Sequence, residues 1–73
     1  MVHMAKYAVV IERGRRNLSA YVPDLPGVIA TGRTRSVLLR RLEIAVRWHL
    51  EALRKDGEPV PEPTTDIARV RVA

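Results

Sequence analysis

The sequence predicts an α+β domain of order β-β-β-α-β, a small, largely antiparallel sheet with one helix packed on one face. Three observations lead there. Short runs of β-branched and aromatic residues near the N-terminus are separated by turns rich in Gly, Pro and Asp. One long segment, Arg35 to Lys55, carries apolar residues at helical spacing. A last alternating segment, Ile67 to Val72, follows a proline-spaced connector. One helix laid across one sheet is the economical way to bury both apolar faces. With 73 residues the chain makes one domain, 1–73, without internal repeats, and residues 1–5 are expected to be a flexible leader.

Residues 6–12, KYAVVIE, read as a strand with Tyr7, Val9 and Ile11 on one side and Ala8 and Val10 on the other. Apolar residues on both faces predict a central strand. Arg13 to Asn17 is a charged turn in which Gly14 supplies backbone freedom. Leu18 to Val22 alternates again and returns as the hairpin partner. Pro23-Asp24-Leu25-Pro26-Gly27 is then a shaped corner: the prolines fix φ, Asp24 can bond neighbouring backbone, and Gly27 permits a reversal. Val28 to Thr31 is the third strand. Thr34 is the expected N-cap, its hydroxyl accepting an orphan amide proton, and the helix should stop at Asp56-Gly57 with Gly57 at C′. Val60 to Thr65 is a stiff, extended connector. In the last strand Ala68, Val70 and Val72 should point inward, with Arg69 and Arg71 outward.

Placing successive helical residues about 100° apart gathers Leu38, Leu42, Ala45, Val46, His49 and Leu53 on one broad face, flanked by Leu39 and Leu50. That face should cover the sheet. Val37, Ile44 and Trp48 fall together well away from it, leaving Arg40, Glu43, Arg47, Glu51 and Arg54 as a narrow polar ridge. A helix lying on one sheet needs an apolar arc of somewhat over 100°, and this one spans about twice that. Either the C-terminal connector folds over Trp48, or Val37, Ile44 and Trp48 form an oligomer interface; the second reading is preferred, implying a homo-dimer or tetramer. Within the ridge, Arg40–Glu43, Arg47–Glu51 and Glu51–Lys55 are expected as helix-neighbour pairs on a solvated face.

No apolar run approaches the roughly 18 residues of a membrane span, and no signal-peptide pattern opens the chain. A cytoplasmic location is expected, in keeping with the absence of cysteine. The formal charge is +5, and 11 of the 13 basic residues are arginines, which pair bidentately with carboxylate or phosphate.

Catalytic chemistry finds little support. The eight acids, Glu12, Asp24, Glu43, Glu51, Asp56, Glu58, Glu62 and Asp66, are scattered over strand end, corner, ridge and connector. A two-metal site would need several of them to converge. Ser19 and Ser36 lack a Gly-framed nucleophile elbow, and Gly27 and Gly32 are too isolated to form a phosphate loop. His49 reads as a packed histidine. No enzyme activity, metal or cofactor is expected.

The corner, the Gly32-x-Thr34 start of the helix, and Gly57-Glu58-Pro59-Val60-Pro61-Glu62-Pro63 after it, taken together over Tyr7 to Pro63, resemble the HicB family of antitoxin-like proteins. The resemblance implies a shortened ribonuclease-H-like core without nuclease activity. It also implies a partner, a small messenger-RNA-cleaving toxin of HicA type that the domain neutralises by covering it. Full-length members usually add a C-terminal DNA-binding segment; this chain resembles only the toxin-binding half. Family members commonly carry acidic residues after the Gly-x-Thr motif, where this chain has Arg33, Arg35 and Val37.

Candidate partner-binding residues are Pro23, Asp24, Leu25 and Pro26 at the corner and Arg69 and Arg71 on the last strand. The alternative function is a small basic RNA- or DNA-binding module, with Arg13, Arg15 and Arg16 in one turn and Arg33 and Arg35 at the helix start. The low aromatic content, 4%, argues against a base-stacking platform.

Overall fold

The computed structural model describes residues 5–73; of the leader expected over 1–5, residues 1–4 lie outside the described residues. Three strands, β1 (Val10–Arg13), β2 (Leu18–Tyr21) and β3 (Ile29–Gly32), form one antiparallel sheet in the order β1-β2-β3, followed by one helix, α1 (Arg35–Lys55). The arrangement is α+β, a small open sheet with a single helix on one face.

Register explains which side chains face the helix. Ile11, Ala20 and Ala30 are direct cross-strand neighbours, as are Val10, Tyr21 and Ile29 in the next row. Because side chains alternate along a strand, the first row meets the helix while the second faces outward. Ala20 is buried accordingly, whereas Tyr21 and Ile29 are exposed. The core consists of Ala20, Val22, Leu25, Val28, Leu38 and Leu42, with Tyr7, Val9, Ile11, Leu18, Ala30, Ala45, Val46 and Leu50 packed around it.

The corner between β2 and β3 is built from two consecutive turns. The Leu25 amide donates to the Val22 carbonyl at 3.0 Å and the Val28 amide to the Leu25 carbonyl at 3.1 Å. In the second turn Pro26 occupies the position that wants a fixed φ, and Gly27, at φ 88°, the position that wants a positive one. The geometry drives Leu25 inward until it is 0% exposed. The corner is a core plug.

The helix has the expected boundaries. The Thr34 hydroxyl accepts the Val37 amide at 3.2 Å from an extended backbone, as an N-cap does. At the other end the Gly57 amide donates to the Arg54 carbonyl and the Glu58 amide to the Leu53 carbonyl. With Gly57 at φ 69°, this is a complete Schellman closure. Leu38 and Leu42 are buried beneath the helix, and Gly32 allows its first turn to sit close against β3.

Two expectations about strands are corrected. Ile67 to Val72 forms no strand; this tail is exposed and outside the ladder, so Ala68, Val70 and Val72 do not point inward. The Ile67 amide is bonded instead to the Asp66 carboxylate at 2.8 Å, a local bond that competes with ladder pairing. Without that neighbour, the segment read as a central strand supplies only an edge strand, β1, which begins at Val10; β2 is central. Ala8, Val9 and Val10 face the tail residues Thr65 to Arg69 across an open cavity of about 310 Å3. Among the described residues no helix is long and apolar enough to cross a membrane.

Candidate functional site: an apolar helix flank and an arginine pocket

The helix buries one face on the sheet and leaves a second apolar flank uncovered. Val37 is 39% exposed, Ile44 45% and Trp48 70%. Arg41 lies in the same stripe and reaches back to β3, donating to the Thr31 carbonyl at 3.1 Å. The flank is therefore on the β3 side of the helix. The connector does not fold over Trp48; it runs past the other side of the molecule, where the Tyr7 hydroxyl donates to the Pro61 carbonyl at 2.6 Å. Burial, followed by the charges of Glu62 and Asp24, holds the Tyr7 phenol above its ordinary value.

The partner-binding residues read at the corner have different fates. Leu25 is in the core and presents no surface. Asp24 is half-buried and engaged: its carboxylate accepts the amides of Thr64 and Thr65 at 3.2 and 3.1 Å and their hydroxyls at 3.0 and 2.8 Å. Those bonds, the Thr65 amide foremost, hold the Asp24 carboxyl below the usual value. Asp24 is thus a clamp for the chain beyond the helix. Pro23 is half-buried, while Pro26, Arg69 and Arg71 are exposed.

The basic residues divide as well. Arg16 and Arg33 line one open cavity of about 490 Å3, together with Asn17, Thr31, Gly32, Val37 and Arg41. Arg13 at the end of β1, Arg15 in the turn and Arg35 at the helix start do not line it. Arg41 was absent from the nucleic-acid set read from the sequence. The signal that could have found it is its helical spacing from Val37, Ile44 and Trp48, which sets it at the β3 side. The expected ridge pairs Arg40–Glu43, Arg47–Glu51 and Glu51–Lys55 do not form. Among the described residues one ion pair is present, Arg47 to Glu43 at 3.0 Å, an exposed contact four residues apart. Glu43 accepts a single partner, and Arg47 takes it.

Among the described residues no polar side chain is buried, and no three His, Cys, Asp or Glu side chains lie together where they could hold a metal ion. His49 is half-buried at the edge of the core face.

Comparison with known proteins meets this structure at the family level. Residues 7–72 match the family model described as the HicB-like antitoxin of bacterial toxin–antitoxin systems. The UPF0150 protein Ta0767 of Thermoplasma acidophilum is 31% identical over 62 residues, covering 84% of this chain and 90% of that relative. No solved structure matches. A match running from the strand that opens the sheet to the end of the tail it faces takes in every element described above, and the chain belongs to the HicB-like antitoxin family.

Proposed function

We propose that this chain is a non-catalytic interaction domain that acts in the cytoplasm as an antitoxin. It associates with copies of itself, as a dimer or tetramer, through Val37, Ile44 and Trp48, and neutralises a small messenger-RNA-cleaving toxin of HicA type by covering it. The observation that carries this reading is the exposure of Trp48, 70%, on a helix whose other apolar face is already buried. Covering one large apolar side chain contributes about 1.5–3 kcal/mol. Three of them in one stripe, at the start, middle and later part of a single helix, form the centre of a self-complementary contact. The side chains of Pro26, Arg69 and Arg71 remain exposed and are the surface available to a toxin.

A non-catalytic role is supported by the engagement of Asp24 with Thr64 and Thr65 and by the dispersion of the other acids. Occlusion needs no chemistry from the chain; it needs shape and a rigid scaffold.

Two experiments test the two halves. Ile44→Glu combined with Trp48→Ala should convert the assembly to monomer in sedimentation velocity, and an unchanged assembly would remove the interface. Co-production with a HicA-type toxin from a neighbouring gene should restore growth to a host that the toxin arrests. Failure to bind or neutralise that toxin would remove the antitoxin role.

A further inference from the structure

Beyond any toxin, we propose that the cavity walled by Arg16, Arg33 and Arg41 binds the phosphate groups of a nucleic-acid strand. Arginines line it from three separate segments: Arg16 from the β1–β2 turn, Arg33 from the β3–α1 link and Arg41 from the second turn of the helix. No carboxylate lines the cavity, and among the described residues none of the three arginines is in an ion pair. Guanidinium groups assembled without a counter-charge repel one another, an arrangement that an anion relieves. Arg41 is held in place by its bond to the Thr31 carbonyl, which occupies one of its five donors.

Phosphate is the anion that suits such a fork, and a strand carrying many of them suits this one best. The cavity is open rather than enclosed. Arg15 lies next to Arg16 in the turn and Arg35 two residues after Arg33 at the helix start, and neither lines the cavity. At about 490 Å3 and open to solvent, the cavity exceeds a lone phosphate and admits successive phosphates of a strand. With 4% aromatic residues there is no stacking platform, so the contact is to the backbone and indifferent to sequence.

The test is fluorescence anisotropy of a short labelled single-stranded RNA, and of the DNA of the same sequence, titrated with the full chain at low salt. Binding is expected. Neutralising three phosphates of a single strand predicts a fall of about 20-fold in affinity between about 50 mM and about 200 mM salt. Arg16→Ala and Arg33→Ala should each weaken binding several-fold and flatten the salt dependence, while Arg54→Ala, which removes the same charge elsewhere on the helix, should not. Arg41→Lys keeps the charge but loses the fork, and should also weaken binding. Circular dichroism of each variant establishes folding.

Equal weakening by Arg54→Ala would reduce the effect to net charge and overturn the site. So would an absence of binding at low salt, or binding of inorganic phosphate without binding of either oligonucleotide. None of these outcomes depends on toxin neutralisation, so the two proposals fail separately.

Discussion

Gly32 is where the sheet and the helix come closest, and replacing it with alanine should loosen the whole domain. A Cβ at this position would stand 2.8 Å from the Leu38 amide nitrogen, 3.0 Å from its Cα and 3.3 Å from its Cβ. Ordinary contacts are about 3.5–4.0 Å. The nearest two atoms are backbone, so no side-chain rotation relieves the overlap. The first turn of α1 must move away from β3 by about 0.5–1 Å, and Leu38, 0% exposed, moves with it. Overpacking of this kind costs about 1–3 kcal/mol. A stiffer unfolded chain returns about 0.4–1 kcal/mol, leaving a net loss of about 1–2 kcal/mol. Against a total of roughly 4–11 kcal/mol for a domain of this size, that is a large fraction. In urea, with a slope near the lower end of about 1–3 kcal/mol per molar, the midpoint should fall by about 1 M. Both proteins must be compared at one concentration, because association shifts apparent stability. A midpoint that stays or rises would refute the close approach.

Three further outcomes follow from named contacts. Leu25→Ala should cost about 2–5 kcal/mol, read from urea melts, because the corner's leucine fills the core rather than facing a partner; a small loss would return it to the surface. Thr34→Ala should cost about 1 kcal/mol through the lost bond to the Val37 amide, and helix content that survives at full stability would show the cap to be idle. Asp24 titrates below its ordinary value of 3.8 in the folded chain, so its stabilisation is fully present above that pH and is lost as pH falls through the lower folded value. The amide shifts of Thr64 and Thr65 should therefore be constant down to that region and move together below it. In Asp24→Ala they should take unclamped positions at every pH, and unaltered shifts would contradict the clamp.

What was legible in the sequence was local. Thr34 and Gly57 bracket the helix because capping chemistry is decided within four residues. The three strands and the corner follow from alternation and from Pro26-Gly27 at φ 88°. The two apolar flanks of the helix follow from its period. What escaped depended on contacts across the chain. Asp24 meets Thr64 and Thr65, residues 40 and 41 positions away, and no local pattern announces that pairing. The alternation of Ile67 to Val72 announces a strand, but strand propensity reports fitness for a pleated surface rather than the presence of a neighbour. β1 looked central because apolar residues fall on both its sides; the tail facing Ala8, Val9 and Val10 accounts for one of them. At the candidate site, Arg16 and Arg33 were readable as basic residues. Their convergence with Arg41 required the fold.

The proposed assembly places a second copy of the chain over Trp48. It is the sole tryptophan, and alone in one chain it is 70% exposed. Its emission maximum, followed over a wide dilution series, reads that environment directly. With the proposed contact, the maximum shifts to shorter wavelength as concentration rises and the indole leaves water. An emission maximum fixed at that of a water-exposed indole, at every concentration, would contradict it.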